Sequence, residues 1–160
     1  MQQWGRRAGA SLVMAMLVLG VSACTTAVAM QPATNAADPH CADVTVRLPP
    51  DIDDLPKRET TAQATGAWGT PTAVLLHCGV EPPAPTSTMP CYTVGDVDWL
   101  VDDTDDPEYR FTSYGRDPAV TVVLDNTVVA GISVLEALNA AVAQLPVTGA
   151  CLALEDVEPR

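Results

Sequence analysis

The first concentration of apolar residues runs from Ala8 to Gly20, directly after Arg6 and Arg7. It is shorter than the roughly 20 apolar residues a helix needs to cross a bilayer, so it predicts the apolar stretch of an export signal. Beyond it the chain alternates between short apolar clusters and polar punctuation. Asp38-Pro39 has the form of an N-cap followed by proline at the first helical position, and Cys41, Val44 and Leu48 follow at helical spacing before Pro49. A short helix is expected there, with the alternation of Val44, Val46 and Leu48 leaving a strand as the competing reading. Residues 50–66 hold few apolar anchors and predict a long loop. The run 72–77 (TAVLLH) predicts a buried strand, and the proline-rich stretch 81–90 a surface connection.

Tyr92, Val94, Val97 and Trp99 lie around a turn at Gly95-Asp96; the acidic run DDTDDPE then leads to 109–114, so two strands joined by a charged turn are expected. Residues 119–124 (AVTVVL) alternate as a strand does, and Asp125-Asn126 turns the chain. Ser133 and Glu136 have capping-box spacing, with Val134, Leu135, Leu138, Val142 and Leu145 on one helical face before Pro146. These elements predict a small α+β domain: four or five mostly antiparallel strands covered on one side by one or two helices.

The residues after the first apolar run refine its meaning. Val21-Ser22-Ala23-Cys24 has the form of a lipobox, which makes residues 1–23 a lipoprotein signal peptide and Cys24 the lipidated residue; secretion with cleavage near Ala27 or Ala29 is the alternative. Residues 24–39 are small and polar, the composition of a flexible tether. The remaining stretch, 40–158, is a single domain of roughly 120 residues, long enough to bury its own core. Without Arg6 and Arg7 the basic count falls from 8 to 6 against 20 acids, a net charge of −14. That balance repels nucleic acid and anionic lipid headgroups and argues against a polyanion partner.

Cys41, Cys78, Cys91 and Cys151 lie in the domain. In an oxidising compartment four cysteines predict two disulfides, with three connectivities open. His40-Cys41 and His77-Cys78 raise zinc as an alternative, weakened by the lack of a C-x-x-C spacing. Asp96, Asp98, Asp102, Asp103, Asp105, Asp106 and Glu108 offer hard oxygens for calcium but miss the EF-hand pattern, and no metal or other cofactor is expected. No G-x-S-x-G, phosphate-binding glycine loop or H-E-x-x-H occurs, which disfavours hydrolytic and phosphoryl-transfer chemistry. Trp68 and Trp99 suit a stacking surface or a core anchor. Arg58 and Arg116 complete a candidate ligand site, with a structural bond to a backbone carbonyl as the alternative for Arg116.

Several short signatures together resemble the DUF3515 family of exported actinobacterial proteins and lipoproteins, a domain of unknown function. They are Cys41 with Leu48-Pro49, Lys57-Arg58, Ala67-Trp68-Gly69-Thr70-Pro71, Leu76-His77-Cys78-Gly79-Val80, Val97-Asp98-Trp99, and the run from Phe111 to Arg116. The resemblance implies an envelope location and a shared fold. It also implies Cys41–Cys78 as one bridge and Cys91–Cys151 as the other. The expected role is a non-catalytic binding or accessory module, lipid-anchored on the outer face of the cytoplasmic membrane, partnering an envelope protein. The competing expectations are a cell-wall ligand-binding protein or enzyme using Arg58, Trp68, Trp99 and Arg116, and a purely structural surface lipoprotein.

Overall fold

The computed structural model describes residues 26–151, so the expected signal, 1–23, the expected lipidation residue Cys24 and the last residues of the expected domain, 152–158, lie outside the described residues. The first helix starts where local chemistry places it. The Asp38 carboxylate accepts the His40 N–H at 2.8 Å and Pro39 occupies the first turn, giving α1, Pro39–Thr45, with Cys41 and Val44 buried. Eight strands follow: β1 Asp51–Ile52, β2 Leu55–Arg58, β3 Thr65–Trp68, β4 Val74–Val80, β5 Cys91–Val94, β6 Val97–Asp105, β7 Glu108–Tyr114 and β8 Ala119–Asp125. The last helix is α2, Gly131–Val142.

The strands form one sheet in the order β1-β2-β3-β4-β8-β7-β6-β5, with every neighbouring pair antiparallel. The expected α+β domain of four or five strands covered by helices is therefore corrected to a mostly-β fold: one eight-stranded sheet and two short helices. The extra strands come from stretches whose patterning is weak. Residues 50–66, expected to be a loop, contain β1 and β2, an edge hairpin that exposes most of its positions, and enter β3. In β3 every residue is buried, but the small Gly66 and Ala67 give no alternating signal. The acidic run expected to be a turn is instead the outer half of β6 as far as Asp105, paired through Asp102 with Arg110 and through Asp105 with Glu108.

One face of the sheet carries Trp68, Val74, Leu76, Cys78, Val97, Trp99, Phe111, Val120, Val122 and Leu124 into a single core with Cys41 and Val44 of α1 and Val134, Leu135 and Leu138 of α2. The opposite face alternates toward solvent, as an antiparallel sheet allows. There Leu75, His77, Val123 and Thr112 are half-buried and Arg110 is exposed. The apolar face expected for the last helix is the buried one, but its start differs. Ala130 is the N-cap and makes no side-chain cap bond, so Ser133 is the third residue inside α2 and the capping box is not used.

Residues 26–38 belong to the stretch expected to be a tether, and they are laid against the domain. Val28 donates to the Glu59 carbonyl at 2.8 Å and accepts from the Thr61 N–H at 3.0 Å, forming a parallel bridge that extends the sheet edge beside β2. The Asn35 N–H donates to the Gly79 carbonyl at 2.9 Å, and Ala36 is buried in the core.

Candidate functional site

The four residues expected to form a ligand site sit in different surroundings. Trp68 and Trp99 are both fully buried among core side chains. The Trp68 indole N–H donates to the Pro49 carbonyl at 3.1 Å, tying β3 to the end of the α1 segment. Trp99 Nε1 has no protein acceptor among the described residues. Neither ring offers a stacking face to solvent.

Arg116 is buried, and its guanidinium is spent on backbone carbonyls. One nitrogen donates to Leu145 O at 2.7 Å and Ala143 O at 3.3 Å, and the other makes a short bond to Asp96 O. The first two acceptors belong to the chain leaving α2, where helix carbonyls lack partners and carry the negative end of the dipole. Arg116 thus closes the C-terminal end of α2 onto the β5–β6 turn. Arg58, on β2 near the opposite edge of the sheet, is half-buried and donates to Thr72 Oγ1 at 3.0 Å, Gly69 O at 3.4 Å and Thr26 O at 2.8 Å. The structure does not bring the four residues into one cleft.

The cysteines are paired Cys41–Cys78 and Cys91–Cys151. The first bridge lies in the core and fastens α1 to β4, and the second fastens the chain after α2 to β5. With Cys41 and Cys78 oxidised, neither sulfur is a thiolate, so the zinc alternative has no ligands at those positions. Among the described residues no three His, Cys, Asp or Glu side chains are grouped to hold a metal ion. The acids considered for calcium are engaged separately: Asp98 accepts from the Thr93 hydroxyl at 2.7 Å and the Cys151 N–H at 2.6 Å, while Asp102 accepts the Thr104 hydroxyl at 2.7 Å. The bonds from the Thr104 side chain and backbone hold the Asp102 carboxyl below its ordinary range.

Two features were not found from the sequence. His77 stands on the open sheet face, its pKa lowered by burial and then by the charge of Arg110. On α1, His40 Nδ1 lies 2.9 Å from Asp38 Oδ1, an exposed acid–imidazole contact, and the His40 backbone and ring both lower the Asp38 pKa. A groove of about 440 Å³ lies between the proline-rich segment and the Cys91–Cys151 bridge, lined by Pro85, Thr86, Ser87, Met89, Leu100 and Tyr114 as well as the two cysteines. It supplies hydroxyls and apolar contact, but its lining contains no histidine or carboxylate to act as a base.

The residues that carry the short signatures are therefore mainly those that set the fold. Gly79, after the bridged Cys78, has φ +95°, and an added Cβ would overlap the Asn35–Ala36 backbone. Gly115 has φ +64° and meets Gly149 in the same way, letting 146–149 pair beside Arg116. A family model described as a protein of unknown function, DUF3515, matches residues 8–149. The chain belongs to the DUF3515 family. No curated protein and no solved structure matches it. Of the signature residues, the structure places Trp68 and Trp99 in the core, Gly69, Gly79 and Gly115 in left-handed conformations, and Cys41 and Cys78 in one disulfide.

Proposed function

We propose that this DUF3515 chain is an exported lipoprotein, anchored through Cys24 on the outer face of the cytoplasmic membrane, where it serves as a non-catalytic accessory or binding module for another envelope protein. The observation that carries the reading is the pairing of all four domain cysteines beside an N-terminal signal and lipobox. Such bridges persist where the compartment is oxidising. A module of this kind needs a rigid scaffold and exposed surface more than a reactive centre. The burial of Trp68, Trp99 and Arg116 in structural contacts favours it over a Trp/Arg ligand site. Without the signal's Arg6 and Arg7 the net charge is −14, which suits a basic or neutral protein partner and disfavours nucleic acid.

The test is crosslinking of the tagged chain in its native membrane, with mass spectrometry of the captured species and of the mature N-terminus. A diacylated Cys24 at the N-terminus and a reproducible protein partner lost in the Cys24→Ser form are expected. An unmodified N-terminus beyond Cys24 sinks the anchor, and a correctly anchored chain that captures no protein sinks the accessory role.

A further inference from the structure

The way residues 26–36 are laid down bears on how an anchored domain would be held. A flexible tether over 24–39, 16 residues, would have a root-mean-square span of about 22 Å and leave orientation free. The fold begins sooner than that. The Thr26 carbonyl already accepts from the Arg58 guanidinium at 2.8 Å, Val28 is bridged to Thr60, and Asn35 is bonded to Gly79. Two residue steps separate Cys24 from Thr26, a reach of at most about 7 Å when extended.

The surface at this entry point has its own chemistry. Lys57 is exposed and Arg58 half-buried, and among the described residues neither makes an ion pair. Arg58 gives its bonds to neutral oxygens, with Glu59 exposed beside it and Asp51, Asp53 and Asp54 exposed on the adjoining hairpin. The acidic end of the β6–β7 hairpin lies four to five strand positions from β2 across the sheet, about 19–24 Å at ordinary strand spacing. Chain entry therefore selects this edge, where Lys57 and Arg58 stand among the exposed acids Asp51, Asp53, Asp54 and Glu59.

Resting on the lipid-anchor reading above, we propose that the domain stands on the bilayer by one defined edge, made of residues 26–30, β2 and the β3–β4 turn. Lys57 and Arg58 lie at the level of the lipid phosphates, and β5 and the β6–β7 hairpin are held away from the membrane. The occupant of this surface is the lipid headgroup layer. The partner-binding surface of an accessory module is then the far side, including Tyr92 and the groove beside the Cys91–Cys151 bridge.

The experiment uses the full lipidated chain in vesicles of phosphatidylethanolamine and phosphatidylglycerol that carry a headgroup-attached quencher. A fluorophore is introduced through a non-natural residue either at Thr70, next to the Gly69 carbonyl that Arg58 binds, or at Tyr92 on β5. Quenching severalfold stronger at position 70 than at position 92 is expected. A version with about 20 added Gly/Ser residues between Thr25 and Thr26 should lose that difference. Equal quenching at the two positions in the native-length chain overturns the proposal, as does a difference that survives the spacer. A chain that does not float with the vesicles shows instead that the anchor reading has failed, and this inference with it.

Discussion

Replacing Arg116 with alanine separates a structural guanidinium from a ligand clamp. In the folded chain Arg116 donates to the Leu145, Ala143 and Asp96 carbonyls, and the bond to Leu145 O is buried. A buried acceptor deprived of its donor costs about 1–3 kcal/mol, and hydrogen bonds from a charged group lie at the upper end of net contributions. Water entering the space left by the side chain re-satisfies part of this, and the favourable charge at the end of α2 is lost as well. Counting two carbonyls at a little over 1 kcal/mol each, plus lost packing of the stem, Arg116→Ala should destabilise by about 3 kcal/mol. Arg116→Lys keeps one donor and the charge and should lose roughly half as much. The assay is urea unfolding of the mature chain with Cys24→Ser, followed by the fluorescence of Trp68 and Trp99, both fully buried. A residue held out for a ligand changes stability by only about 0.5 kcal/mol when truncated. A loss below about 1 kcal/mol for Arg116→Ala would refute the structural assignment.

Four other outcomes follow from the same geometry. Loop-closure entropy over sequence separations of 37 and 60 predicts losses of about 3.8 and 4.3 kcal/mol when Cys41–Cys78 or Cys91–Cys151 is replaced by paired serines; midpoints unchanged in urea would contradict this. Gly79→Ala forces a left-handed backbone and displaces Asn35–Ala36, so it should cost about 2 kcal/mol and raise amide exchange at Asn35, whereas unchanged exchange would count against the docking of residues 26–36. Trp68→Phe removes a donor from Pro49 O and strands the acceptor, while Trp99→Phe removes a donor that has no protein acceptor; the first should cost about 1 kcal/mol more in the same urea assay, and the reverse order would defeat the reasoning. Burial and Arg110 lower the pKa of His77, so the unfolded chain takes up the proton first: this contribution to stability is complete above about pH 6.5 and declines as pH falls from there toward the folded-state value. An NMR titration of His77 should have its midpoint below about 6.5 and move upward in Arg110→Gln, and a midpoint at or above the ordinary histidine value would remove the argument.

Legibility in the sequence followed the strength of local signals. Asp38-Pro39 identified the start of α1 because a side-chain cap and a proline act within one turn. The run AVTVVL identified β8, whose buried Val120, Val122 and Leu124 alternate with less buried positions. The last helix was found through its apolar face, although Ser133 and Glu136 misplaced its first turn: the chain is folded back from Asp125 through bonds to Val128 and Val129, so α2 starts at Gly131 without a side-chain cap. The hairpin of β1 and β2 was missed because pairing, not apolar content, defines it. β1 has two residues, and β2 has an exposed lysine and proline. The length of β6 was missed because acids at the outer end of a hairpin face water and cost little there, so Asp102 to Asp105 read as a turn.

The candidate site was less legible for a related reason. Tryptophan, arginine and glycine are the residues from which binding sites are made, and they also make irreplaceable structural joints, so residue type alone does not separate the uses. Here the deciding quantities are nonlocal. Arg116 meets its acceptors 27 and 29 residues later, Trp68 meets Pro49, and Gly79 lies against Asn35. Each joint fastens a segment outside the central strands to the sheet: residues 26–36 through Gly79 and Arg58, α1 through Cys78, and the end of α2 through Arg116. Such fastenings close long loops that hydrophobic patterning alone leaves unspecified. On this reasoning the signature residues define a scaffold, and what they leave to the surface includes the exposed Tyr92 and the groove walls at Pro85, Met89 and Tyr114.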